Sequence, residues 1–68
     1  MSTLTTYQIF FDFDDEIRDY VYDNFDVTDT GLDTRTDEYE MMFTCLTSEY
    51  ISFVKIFSEK LNNYDAPV

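Results

Sequence analysis

Carboxylates are the side chains of this sequence best equipped to do chemistry. The 68 residues include 15 Asp and Glu, four Lys and Arg, one Cys and no His, which gives a net charge of −11 at neutral pH. Carboxylates serve as general acids and bases, as ligands of hard cations and as partners of cationic surfaces. Because the chain lacks His, it lacks the commonest general base and the commonest transition-metal ligand. Most kinds of enzyme are therefore disfavoured.

The acids around Gly31 have part of the spacing of a calcium-binding loop. With Asp26 at the first position of a twelve-residue loop, Gly31 falls at position 6 and Asp37 at position 12. Thr28 and Thr30 stand where Asp or Asn is usual, and the last position has Asp in place of the bidentate Glu. A solvated acidic turn is the better interpretation, and we expect no metal or other cofactor.

Two further arrangements have the residue types of a catalytic site. Asp12, Asp14 and Asp15 could act in acid–base or Mg²⁺ chemistry, but helix capping and a solvated turn account for these acids without a site. Cys45 has no His to serve as its base, and it alternates with Phe43, so we interpret it as a buried thiol. The expectation is a protein without enzymatic activity.

The elements that position these residues begin with a strand and a helix. Alternating aromatic and polar residues predict a strand from Thr5 to Phe13. Asp14 then supplies an N-cap, and apolar residues four apart predict an amphipathic helix from about Asp15 to Phe25. The polar face of this helix includes Glu16, Asp19 and Asp23, and Asp26 follows where the helix frays.

The second half of the chain repeats this order. Gly31 is expected to take a positive φ in the turn-like segment 26–37, where residues 32–36 form at most a short edge strand. Alternation predicts a strand over residues 38–46, and an apolar stripe predicts a second helix from Thr47 or Ser48 to Leu61. The segment 62–68 is expected to fray.

These elements predict one α+β domain over residues 1–68, with a two- to three-stranded, mostly antiparallel sheet and both helices on one face. Phe10, Met42 and Leu46 then fall on the uncovered face of the sheet. No apolar run approaches the length of a membrane span, the N-terminus has no signal-peptide pattern, and a single Cys fits a reducing compartment. We expect a cytoplasmic protein without membrane contact.

Acids are concentrated in one part of the chain. Residues 1–40 contain twelve acids and two bases, whereas residues 41–68 contain three acids and two bases. A net charge of about −2 to −8 is ordinarily enough for solubility, so the excess favours a functional role for the acids. In size, charge and compactness the chain resembles small acidic proteins that mimic nucleic acids, many of them phage-encoded inhibitors of restriction or CRISPR enzymes.

The resemblance implies a non-catalytic inhibitor that blocks the basic, nucleic-acid-binding groove of another protein and does not itself bind nucleic acid. The acids expected to replace phosphates are Glu16, Asp19, Asp23, Asp26, Asp29, Asp33 and Asp37. Exposed tyrosines would act as anchors, and the candidates are Tyr20, Tyr22 and Tyr39. The alternative is a homo- or hetero-oligomeric assembly module that uses an exposed sheet face or edge strand, with Phe10, Met42 and Leu46 as its contact residues. Salt weakens the first kind of complex and spares the second.

Overall fold

Two interleaved β-α-β units build the sheet and its helices. The computed structural model describes residues 3–67, with the elements β1 (Leu4–Asp12), α1 (Asp15–Asn24), β2 (Asp26–Asp33), β3 (Glu38–Leu46), α2 (Thr47–Phe57) and β4 (Leu61–Tyr64). The strands form one antiparallel sheet in the order β2-β3-β1-β4. This is the split β-α-β arrangement of ferredoxin-like domains. The predicted α+β class is confirmed, but the sheet has four strands where two or three were predicted.

The core lies between one face of the sheet and both helices. Alternate residues of β1 and β3 point into it, and α1 and α2 cover it with their apolar faces. The buried residues are Tyr7, Ile9, Phe11, Ile17, Val21, Met41, Phe43, Cys45, Tyr50, Phe53, Phe57 and Leu61. Tyr7 and Tyr50 stack with their ring centroids 3.7 Å apart. The aromatic residues supply the apolar volume that so short a chain otherwise lacks.

The segment predicted as an acidic turn is the edge strand β2. It pairs with β3 from Asp26 to Asp33, and Gly31 lies in its middle with no positive φ. β-branched residues in this segment favour the strand, and its pairing with the buried strand β3 outweighs the turn character of Gly31. An added Cβ on Gly31 would lie 3.3 Å from Oε1 of Glu40, so the glycine accommodates that side chain. The left-handed φ of 60° belongs instead to Asp37 in the following turn.

The C-terminal segment also differs from the prediction. Helix α2 ends at Phe57, and Leu61 begins β4, which pairs with β1 where a frayed tail was expected. Leu61 closes the core next to Phe11, and β4 covers an edge of β1 that would otherwise be unpaired. Asp65, just after β4, also binds to β1. Its N–H donates to the Gln8 carbonyl at 3.2 Å, and its Oδ2 accepts from the Gln8 N–H at 3.0 Å.

The ends of β1 and of the two helices show which capping residues start each helix and where the first strand stops. Asp14 caps α1 as predicted, because its Oδ1 accepts from the Glu16 N–H at 2.8 Å. The N-cap of α2 is Leu46, one residue before Thr47, and the Glu49 carboxylate accepts from the Leu46 N–H at 3.3 Å. Strand β1 ends at Asp12, one residue before its predicted end.

Candidate functional site

The face of the sheet turned away from the helices is acidic, and we call it the open sheet face. Residues directly opposite each other in the sheet share a face, which places β2 acids beside β3 and β1 acids. The carboxylates on this face are Asp12, Asp26, Asp29, Asp33, Glu38 and Glu40. None of the four strands described over residues 3–67 contains Lys or Arg.

Neutral side chains hold three of these carboxylates in place. The Asn62 amide donates to Asp12 Oδ1 at 3.0 Å and to Glu38 Oε2 at 3.2 Å. The Gln8 amide donates to Glu40 Oε2 at 3.3 Å. Since amides carry no charge, these hydrogen bonds orient the carboxylates without neutralising them. The carboxylates of β1 and β3 on the open sheet face are therefore held in fixed orientations without being neutralised.

The three β2 acids of the open sheet face are all exposed. Asp29 Oδ1 accepts from the Thr30 N–H at 2.9 Å, and Asp33 Oδ1 accepts from the Arg35 N–H at 2.9 Å. The Arg35 Nε in the turn after β2 lies 3.7 Å from Asp33 Oδ1, and the Arg35 side chain is almost fully exposed. An ion pair so open to water contributes little to stability and leaves Asp33 available to another cation.

Four acids of the helical layer are paired with bases. Arg18 lies 3.3 Å from Asp15 and 3.1 Å from Asp19, and Lys60 lies 3.5 Å from both Asp14 and Glu16. The hydrogen bond from the Glu16 N–H, assisted by the positive charge of Lys60, lowers the pKa of Asp14 below its ordinary value. Local pairing thus reduces the net negative charge of this layer.

The seven acids predicted as phosphate surrogates are therefore divided between two parts of the molecule. Asp26, Asp29 and Asp33 lie together on β2. Glu16 and Asp19 lie on α1 beside Lys60 and Arg18, in the layer on the other side of the sheet. The two that remain are Asp23, exposed in the last turn of α1, and Asp37, exposed in the turn between β2 and β3.

Only one of the three predicted tyrosine anchors is exposed. Tyr22 is 51% exposed and lines the edge groove, a shallow depression of about 330 Å³ formed with Val27, Thr28, Asp29 and Thr30. The other two tyrosines pack on the core side and do not meet the condition of exposure. Tyr20 is half-buried against Phe25, Phe53 and Phe57, and Tyr39 is half-buried against Phe11 and Phe13.

The residues of the assembly alternative lie on the open sheet face but do not form an exposed apolar patch. Phe10, Met42 and Leu46 are each half-buried. Phe10 stands opposite Glu40, and Met42 stands between Gln8 and Asp29 in the neighbouring strands, so polar side chains interrupt the apolar ones. The face predicted to be uncovered is therefore a mixed surface, on which carboxylates and apolar side chains lie next to each other.

Residues that sequence reasoning left out complete this surface. Glu38, Glu40 and Asp12 were not among the predicted site residues, although the alternation of β1 and β3 already places them opposite the core. That alternation was the available signal. Their proximity to the β2 acids could not be anticipated, because it depends on β2 pairing with β3 along its whole length.

Two further features of residues 3–67 concern metal binding and nucleophilic chemistry. Within residues 3–67 no group of three or more Cys, Asp or Glu side chains is arranged to hold a metal ion. Burial raises the pKa of the Cys45 thiol to about 11, and the Glu49 charge adds to this shift. A thiol in this state is a poor nucleophile at neutral pH.

Comparisons with known proteins give no information on function, so we infer function from the surface. No protein family model matches the chain, and the searches of curated proteins and of solved structures found no match. Neither of the two helices in the described part of the chain has the length and apolar character needed to cross a membrane.

Proposed function

We propose that this protein is a non-catalytic inhibitor that occupies the basic, nucleic-acid-binding groove of a partner protein with its open sheet face. One observation carries the proposal: six carboxylates share a face whose strands contain no Lys or Arg, while Arg18 and Lys60 pair with acids of the helical layer. No base of its own strands compensates for the charge of this face, so the face repels nucleic acid and attracts a cationic groove.

The charge density of the open sheet face matches one nucleic-acid strand better than a duplex. Asp26 to Asp33 spans roughly 23 Å at about 3.3 Å per residue. Over that length one strand of DNA carries about seven charges and a duplex about fourteen. The open sheet face carries six carboxylates. A groove that binds a single strand is the partner site that this surface fits best.

The hydrogen bonds of the open sheet face also favour tight binding. Asn62 and Gln8 already orient Asp12, Glu38 and Glu40, so these side chains lose less freedom when a partner binds. Arg side chains in the groove would meet them in charge-assisted, bidentate pairs. Among proteins with such grooves we propose a bacterial restriction or CRISPR nuclease, which makes this an anti-defence protein acting in the cytoplasm of an infected cell.

Two variants with equal net charge test the proposal. The sheet variant carries Asp26→Asn, Asp29→Asn, Asp33→Asn and Glu40→Gln, and the helix variant carries Asp15→Asn, Asp19→Asn, Glu49→Gln and Glu59→Gln. Each protein is immobilised and exposed to bacterial proteins that single-stranded DNA resin retains. The wild type and the helix variant should capture a partner that a single-stranded oligonucleotide displaces more readily than a duplex does.

The sheet variant should lose at least tenfold in affinity for that partner, because each cation left desolvated and unpaired costs about 2 kcal/mol or more. Equal loss in the helix variant would show that total charge matters and not the open sheet face. The change Phe10→Ser with Met42→Ser tests the assembly alternative. If this variant loses binding while the sheet variant keeps it, the mimicry proposal is wrong.

A further inference from the structure

The two edges of the sheet differ in how well they are protected. β4 is a four-residue strand, and its Leu61 side chain is held in the core. β2 is eight residues long, and the strand order places no strand of residues 3–67 beyond it. β2 contains neither Pro nor Lys, two of the residues that natural edge strands use to prevent pairing, and its charges are all negative. The register shift between Val27 and Asp29 leaves the segment from Asp29 to Asp33 regular.

The side chains around this edge would face those of an added strand on both sides of the sheet. On the open sheet face, Asp29 and Asp33 lie at the edge. On the helical side, Tyr22 and Leu32 are 51% and 54% exposed, and Tyr22 stands over the edge groove. An exposed tyrosine beside a strand edge can pack against one side of a bound strand, while the strand backbone supplies hydrogen bonds.

Charge selects the kind of strand that fits. A second copy of β2 would bring Asp side chains opposite Asp side chains, and like charges across a strand pair are destabilising. A strand with Lys or Arg at alternate positions would place these cations beside Asp29 and Asp33, in the regular part of β2, and its other residues beside Tyr22. The edge therefore disfavours self-association and favours a basic partner segment.

We propose that the outer edge of β2 binds an extended segment of the partner protein, with Lys or Arg at every second position, as a fifth strand of the sheet. This inference rests on the proposed function, because the added strand is taken to be part of the same basic partner protein. Backbone hydrogen bonds fix the register of the segment, and the β2 acids select its charge.

A synthetic peptide tests the inference without knowledge of the partner. The probe is a peptide of about nine residues with alternating Lys and Val, a length typical of a strand. The control is the same peptide methylated at all of its backbone amide nitrogens, which keeps the charges and removes the donors. Binding is followed by amide NMR shifts and hydrogen exchange at about 0.1 M salt, where longer-range attraction is screened.

The unmethylated peptide should slow exchange of β2 amides and bind at least tenfold more tightly than the control. The pair Asp29→Asn and Asp33→Asn should weaken it at least threefold, and so should Tyr22→Ala, whereas Ile56→Ala, an exposed site on α2, should have no effect. Equal binding of both peptides, or protection outside β2, would overturn the inference.

The two proposals fail in different ways. If the peptides bind equally but the sheet variant still loses the captured partner, charge on the open sheet face acts without strand addition, and only the inference falls. If the sheet variant captures its partner as well as the wild type does, the proposed function falls, whatever the peptides show.

Discussion

Asp23 lies in the last turn of α1, where a carboxylate opposes the helix dipole and no base of that turn compensates for it. The stability of α1 therefore gives no reason for an acid at this position. Changing Asp23→Asn should raise the free energy of unfolding by about 0.3–1 kcal/mol. The change Asp15→Asn, in the first turn, should lower it. Urea unfolding midpoints of the two variants provide the measurement, and a loss of stability in Asp23→Asn would contradict this account.

Asp14 makes a contribution that depends on pH. Its pKa is lowered in the folded protein by the Glu16 N–H and by Lys60, so its ionised form stabilises the fold above its ordinary pKa of 3.8. This contribution is lost as the pH falls through the lowered pKa. The variant Asp14→Asn keeps the capping hydrogen bond but not the charge. It should melt below the wild type at about pH 6, and the difference should shrink as the pH falls below the ordinary pKa of 3.8.

A pH-independent difference between these two proteins would show that the Asp14 charge contributes nothing. The Glu59→Gln variant is the control, because Glu59 is an exposed acid that lies outside both helices.

At the scale of elements, β4 decides whether the C-terminal segment belongs to the fold. Leu61 is 8% exposed and Leu4, at the start of β1, is 65% exposed. Leu61→Ala should cost about 2–4 kcal/mol of unfolding free energy, because it leaves a cavity at the end of the core. Leu4→Ala should change stability by less than about 0.5 kcal/mol. Equal and small effects in thermal or urea unfolding would mean that the chain frays after α2.

Local patterns predicted some elements, and long-range pairing determined the others. β3 begins and ends at the predicted residues Glu38 and Leu46, since its alternation is regular, and Asp14 caps α1 as its position predicts. β2 resembles a turn in sequence because of its Asp residues and Gly31. It forms a strand because it pairs with β3, and local propensity alone does not predict such a pairing.

The candidate site was likewise predicted only in part, because local patterns identified some of its residues and long-range pairing brought them together. The sequence identified Asp26, Asp29 and Asp33 but placed them in a loop next to α1. Their grouping with Glu38 and Glu40 depends on strand order, which connects residues far apart in the chain. The amphipathic character of α1 was evident, but which of its tyrosines faces the core depends on where α2 packs.

At the scale of the whole molecule, a net charge of −11 on 68 residues should make the fold sensitive to salt. Repulsion among carboxylates is stronger in the compact state than in the unfolded chain, and salt screens it. The melting temperature should rise by several degrees between low salt and about 0.5 M NaCl, since about 1 kcal/mol corresponds to 4–8 °C in a domain of this size.

The sheet variant, with four fewer charges, should show a smaller rise. A melting temperature that falls with salt would indicate that the ion pairs of Arg18 and Lys60 outweigh the repulsion.

We propose that the partner binds to the open sheet face and not to the helical layer. Amide hydrogen exchange in the captured complex shows directly which of these two sides is covered. Binding through the open sheet face and the β2 edge should slow exchange of β2 and β3 amides, residues 26–33 and 38–46, and leave α1 at residues 15–24 unchanged. The helix variant should give the same pattern. Added protection confined to α1, or none in β2 and β3, would contradict the account and place the interface on the helical layer.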